Sequence, residues 1–89
     1  MNAMICRVVS QTETVTITTQ KGENMSKCNI RLKAIGSQYA DEFWCTVLGT
    51  QADIRFQSGD KVAVALRHSI HENNGNTFND VTVVGIDKL

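Results

Sequence analysis

The sequence predicts an all-β fold of five strands with one short helix between the third and the fourth, and three observations predict it. Val, Thr and Ile together supply 25 of the 89 residues, against ten Leu and Ala, and branched side chains favour strands because they pack well on a pleated surface. Proline is absent, and the six glycines stand mostly where a strand would have to stop. Between those stops, apolar and polar residues alternate with the period of two that sends successive side chains to opposite faces.

The first segment, Met4 to Thr19, changes character midway. Ile5, Arg7 and Val9 alternate with Met4, Cys6 and Val8, so both faces are largely apolar, whereas Thr14, Thr16 and Thr18 alternate cleanly with Val15 and Ile17. That pattern predicts a strand that breaks in the middle and passes between two sheets. Lys21-Gly22-Glu23-Asn24 reads as a turn. In the second strand, Met25 to Ala34, one face carries Cys28, Ile30, Leu32 and Ala34. The other carries Lys27, Asn29, Arg31 and Lys33, a stripe with three positive charges and no negative one. After a loop from Ile35 to Asp41, the third strand runs from Glu42 to Leu48. Phe43, Cys45 and Val47 form its uninterrupted apolar set and are assigned inward, which leaves Trp44, the only tryptophan, outside. Gly49 ends it, and Thr50 to Phe56 reads as a short helix with Thr50 as N-cap and with Ala52 and Phe56 on its buried side. Ser58-Gly59-Asp60 returns the chain to a fourth strand, where Val62, Val64 and Leu66 alternate with Lys61, Ala63, Ala65 and Arg67 up to about Ile70. His71 to Thr77 is polar and rich in turn residues, so a loop is expected there, followed by a fifth strand from Phe78 to Ile86 with a bulge at Gly85. With no repeat, linker or low-complexity segment in view, residues 1–89 are expected to form a single domain.

Five strands with a helix between the third and the fourth is the order of the OB-fold, a partly open five-stranded Greek-key barrel whose binding face lies on strands two and three and the flanking loops. Another small barrel or a helix-capped meander would share that order.

Cys28-Asn29-Ile30-Arg31-Leu32, Glu42-Phe43-Trp44 leading into Val47-Leu48-Gly49, Ala52-Asp53, Gly59-Asp60-Lys61-Val62 and Leu66-Arg67 come in that order along the chain, followed by the Asn-Gly loop and aromatic of Asn74-Gly75-Asn76-Thr77-Phe78. This series resembles the landmarks of the bacterial single-stranded DNA-binding protein family, over nearly the whole chain from Ile5 to Leu89. The resemblance implies an OB-fold that assembles as homo-dimers or homo-tetramers, binds single-stranded DNA without sequence preference and acts in replication, recombination or repair. It places the family's third-strand stacking aromatic near Trp44, the one between strands four and five near His71, and the one before strand three near Tyr39. It also brings Arg67 and Phe78 among the candidate contacts. The sequence departs from the family in a shortened 35–41 loop and helix, and in histidine where a stronger stacker would stand. The acidic-tipped tail with which the family recruits partner enzymes does not appear within the 89 residues. A shorter relative, primosomal replication protein N, also carries a Trp-Cys pair in its third strand, as at Trp44-Cys45.

Nine Lys and Arg balance nine Asp and Glu, which excludes a strongly basic DNA-coating protein. The balance conceals an asymmetry, since residues 1–38 hold five bases and two acids and residues 39–89 hold four and seven. No run of about 18 apolar residues is present, and MNAMICRVV lacks the parts of a secretory signal, so a cytoplasmic protein without membrane attachment is expected. Cys6, Cys28 and Cys45 are odd in number and lack CxxC spacing, which points to reduced, mostly buried thiols and away from a disulfide framework or zinc. His68 and His71 have H-x-x-H spacing, but a strand and a loop do not bring such rings together dependably. No GxSxG, HExxH or phosphate-cradling loop is present. Neither an enzyme nor a cofactor is expected.

Single-stranded nucleic acid offers a string of phosphates and exposed base faces, so a binder that ignores sequence needs cations along a groove with aromatic planes beside them. Pairing strands two and three antiparallel would put Lys27, Arg31 and Lys33 on the same side as Trp44 and Thr46. Arg31 then serves phosphate or a base plane, and Asn29 and Thr46 supply hydrogen bonds. RNA is an admissible ligand because nothing here reads the 2′-hydroxyl. The competing reading is an OB-fold interaction or primosome accessory module that binds replication proteins, with Trp44 in a contact surface. Either way, assembly of subunits is expected through the edge of the first strand.

Overall fold

The computed structural model describes residues 3–36 and 41–89. Six strands carry it: β1 (Ala3–Gln11), β2 (Val15–Thr18), β3 (Asn24–Ala34), β4 (Glu42–Leu48), β5 (Lys61–Asn73) and β6 (Asn76–Lys88), with a 3-10 helix, Gly49–Asp53, between β4 and β5. β1 pairs with β3 and β5, β3 with β4, and β5 with β6, all antiparallel. One parallel bridge, Thr46 opposite Thr82, joins β4 to β6 and closes the ring. The result is a five-stranded Greek-key barrel in which β1 and β2 together stand for the expected long first strand.

The alternation read from sequence sets the interior. Cys6 and Val8 of β1, Cys28, Ile30 and Leu32 of β3, Cys45 and Val47 of β4, Val62 and Val64 of β5, and Val83 and Ile86 of β6 are all buried, with Ala52 of the 3-10 helix plugging one end. Phe43, Phe56, Leu66 and Val81 pack on this core from its rim. β1 sends Cys6 and Val8 into it, whereas Met4 and Ile5 stay more than a third exposed, so only one of the two apolar faces read from the sequence is buried.

Four expectations are corrected. The first segment breaks in its middle as expected, but into two separate strands rather than one bent one, because Thr12 leaves the β1 ladder: its amide donates to the Asn29 carbonyl (2.9 Å) and its hydroxyl accepts from the Asn29 amide (2.8 Å). The helix is a five-residue 3-10 turn ending at Asp53, and its N-cap is Leu48, without a side-chain cap. Gln11 explains its early end. The Gln11 side-chain amide donates to the Ile54 carbonyl (2.9 Å) and accepts from the Phe56 amide (2.9 Å), holding that stretch extended like a rung of sheet. Phe56 still packs on the core, from the connection rather than from a helix.

The third correction concerns 71–77. β5 continues to Asn73 and β6 begins at Asn76, so the expected loop is a two-residue turn at the tip of a long hairpin. Asn74 (φ 53°) and Gly75 (φ 81°) both take the left-handed conformation that a type I′ turn requires and that asparagine and glycine tolerate. The bulge expected near Gly85 is present: Ala65 faces Gly85 and Leu66 faces Val83, leaving Val84 out of register. Its carbonyl accepts from Gln51 Nε2 (3.0 Å), tying the 3-10 helix to β6.

Finally, β1 does not offer the free edge expected for assembly. It is bonded to β5 along Ala3–Arg7 and to β3 along Cys6–Gln11. Among the described strands the open edge is β2, which is joined to β3 alone.

Candidate nucleic-acid interface

β3 and β4 pair over seven residues with Lys27 opposite Leu48, Asn29 opposite Thr46, Arg31 opposite Trp44 and Lys33 opposite Glu42. These four pairs alternate with the inward-facing pairs Cys28–Val47, Ile30–Cys45 and Leu32–Phe43, so all eight side chains share the outer face of the barrel. The expected stripe therefore exists, and Trp44 lies within it. Its ring remains 57% exposed, as much as the inward assignment of Phe43, Cys45 and Val47 required.

Register extends the face beyond β3 and β4. Thr46 meets Thr82 of β6, which faces Arg67 of β5, so Asn29, Thr46, Thr82 and Arg67 form one row across four strands. Two residues further along the hairpin on the same side come Ser69 and Asp80, and then His71 and Phe78 as a directly opposed pair. Both residues are exposed, Phe78 by 49%. His71, expected in a loop, thus stands on a strand with its ring beside an aromatic partner. Nine of the ten predicted contacts, Lys27, Asn29, Arg31, Lys33, Trp44, Thr46, Arg67, His71 and Phe78, fall on one continuous sheet face; Tyr39 lies outside the described residues.

The sequence reading missed Glu42, Ser10 and Thr82. Glu42 sits diagonally across from Arg31 and accepts from its Nε at 2.7 Å. The signal was present, since an acid two residues before Trp44 must share its face, but only the register shows that its oxygen reaches Arg31. Ser10, opposite Arg31 on β1, joins Arg31, Glu42, Phe43 and Trp44 in lining an open hollow of about 390 Å³. A second hollow, of about 500 Å³, lies over β2 and β3 between Thr12, Glu13, Val15, Ile17, Lys27 and Asn29. Its floor is partly apolar, with Val15 55% exposed. Thr46 Oγ1 approaches Asn29 Oδ1 at 3.4 Å, so these two polar groups hold one another between the hollows.

The thiols of Cys6, Cys28 and Cys45 are buried and face the core. Burial, with the neighbouring Cys6 thiol adding to it, pushes Cys45 up to about 11, and burial raises Cys6 as well. Both are protonated at neutral pH. No group of three or more His, Cys, Asp or Glu is placed to hold a metal ion among the described residues, the His68 and His71 pair included. No helix is long and apolar enough to cross a membrane among them either.

No protein-family model matches the chain, and no curated protein matches it. Among solved structures, the solution structure of the second OB-fold domain of replication protein A from Methanococcus maripaludis is similar over 98% of this chain and 81% of that one, with a TM-score of 0.73 at 15% identity. The fold is an OB-fold. At that identity the likeness is one of architecture. The ring β1–β3–β4–β6–β5 is the barrel of this fold, and OB-folds that bind oligonucleotides do so on the second and third strands and the adjoining loops. In this OB-fold those strands are β3 and β4, and the loop between the fourth and fifth strands is the tip of the β5–β6 hairpin.

Proposed function

We propose that this OB-fold binds single-stranded nucleic acid without reading its sequence, DNA first and RNA by the same surface, as a non-catalytic component of replication, recombination or repair. The observation that carries the reading is Trp44, exposed on the outer face of β4, directly opposite Arg31 and on the same side of the sheet as Lys27, Lys33, Arg67, His71 and Phe78. A base laid on an aromatic ring contributes ~1–3 kcal/mol whatever its identity. The cations take the phosphates, whose contacts position a strand but specify nothing. The replication-protein neighbour and the ordered resemblance to bacterial single-stranded DNA-binding proteins support the same reading.

Oligo(dT) added in low salt is expected to quench the fluorescence of Trp44, the only tryptophan. A titration at micromolar protein with neither a quench nor a gel shift refutes the proposal. Matched DNA and RNA oligomers are expected to compete for the same quench.

A second reading, a protein-interaction module of a primosome or related assembly, draws on Ile70, 72% exposed on the other face of the β5–β6 hairpin from His71. It is favoured if a replication protein, and not oligonucleotide, is retained by the immobilised domain. Homo-oligomers, for which β2 provides the open edge, would set several faces around one strand and raise avidity without new contacts.

A further inference from the structure

Arg31 is the one cation of the stripe directly opposite Trp44, and so the one best placed to hold a phosphate next to a stacked base. Its Nε is already engaged by Glu42 Oε1 at 2.7 Å. Two features make this pair unusual for a strand surface. Glu42 faces Lys33 directly and Arg31 diagonally, yet the ion pair it makes is the diagonal one; Lys33 forms no ion pair among the described residues. The pair also borders the hollow that Ser10, Phe43 and Trp44 complete, which is where a nucleotide resting on Trp44 would lie. The side chains are 52% and 40% exposed, so the pair can be opened at small cost, because exposed ion pairs are weak.

We infer that Glu42 is a resident competitor for the phosphate site of Arg31: its carboxylate holds the guanidinium by its Nε in the free protein and is displaced when a strand stacks on Trp44. This rests on the nucleic-acid reading of the same face. Displacement has a specific electrostatic consequence. A phosphate that takes over Arg31 sheds its condensed counterion, while the released Glu42 gathers one from solution, so the exchange adds nothing to net ion release. Wild-type protein then shows the salt dependence of its other cations alone. With Lys27, Lys33 and Arg67 as the remaining cationic contacts on the face, the slope of log K against log salt is about −2.1, at roughly −0.7 per phosphate on a single strand. Without the competitor, Arg31 adds its own contact and the slope approaches about −2.8. Glu42 thereby makes the domain hold its ligand chiefly by stacking, with an affinity that varies less with ionic strength. It also sets a threshold, since a ligand that brings phosphate without a base to stack has little to offset the lost ion pair.

The test compares wild type, Glu42→Gln, Arg31→Met and the double variant, measuring oligo(dT) affinity by Trp44 quenching across a salt series. Both substitutions sit on an exposed strand face, and circular dichroism and thermal melts check that each of the four proteins is folded. Glu42→Gln is expected to bind roughly two- to fivefold more tightly, the range an exposed ion pair spans, with the steeper slope. In the Arg31→Met background, Glu42→Gln is expected to give no gain. Equal gains in both backgrounds would show that Glu42 acts only as a general negative charge, and overturn the inference. So would unchanged affinity and slope in Glu42→Gln, while the wild-type quench leaves the nucleic-acid reading standing. If no variant binds, that reading falls and this inference falls with it.

Discussion

Replacing Trp44 by Leu separates the stacking plane from the packing it shares with the barrel. Trp44 is 57% exposed; an aromatic covers roughly 150–250 Å² when fully buried, so about 100 Å² of its surface is covered at most. At ~25 cal/mol per Å² that cover is worth up to ~2.5 kcal/mol, and leucine restores much of it, leaving a stability loss near ~1 kcal/mol. For a chain of 89 residues this is a fall in Tm of about 4–8 °C. The binding loss is of another kind. Leucine has no π face, so the full stacking contribution of ~1–3 kcal/mol disappears, which weakens Kd by about fivefold to a hundredfold. Because the substitution removes the fluorophore, the assay is the anisotropy of a labelled oligo(dT) at fixed salt, with a thermal melt in parallel. A folded Trp44→Leu protein that binds within twofold of wild type would refute the assignment of Trp44 as the dominant contact.

Three further outcomes follow from the same geometry. Ile30, fully buried in the middle of β3, is expected to cost about 2–5 kcal/mol when truncated to alanine, read as a lower midpoint in chemical denaturation without a change of slope. Gly75→Ala places a Cβ at φ 81° in open space, so strain rather than collision is expected to loosen the hairpin tip by ~1 kcal/mol, seen as faster amide exchange across Ser69–Asn79 while the barrel exchanges as before. Cys45 is neutral in the fold up to about pH 11 but ionises near 9 once unfolded. Its contribution to stability is therefore whole below pH 9 and is lost as the pH rises towards 11, and Cys45→Ala is expected to flatten the decline of the unfolding midpoint across that window.

The parts of the fold that were legible in the sequence are those where one face is wet and the other dry. β3 and β4 read clearly because Cys28, Ile30 and Leu32, and then Cys45 and Val47, alternate with polar residues, and that alternation fixed both the bounds of the strands and the placement of Trp44. The outer half of the β5–β6 hairpin did not read as strand, because from Ser69 to Asp80 both faces meet solvent and the period of two has no contrast to carry it. There the Asn74-Gly75 turn is the remaining signal, and without contrast on either side of it a tight hairpin turn and the middle of a loop look alike. The short helix was overestimated because its end is set from far away, by the amide of Gln11. Likewise, no spacing rule places Glu42 on Arg31. That contact depends on the register of two strands and on which of two available cations the carboxylate takes.

The meeting of β4 and β6 at the single bridge of Thr46 and Thr82 gives the barrel a thin seam, and the proposed ligand path from Trp44 to Arg67 crosses it. A nucleic-acid strand bound along that path would act as a stitch, fastening two β-strands that the backbone barely fastens. Loading the protein should then quiet the opening of the seam before any other part of the barrel, and occupancy should appear as heat resistance that grows with ligand concentration. A domain of this size with so modest a core would in that case owe part of its working rigidity to the molecule it holds.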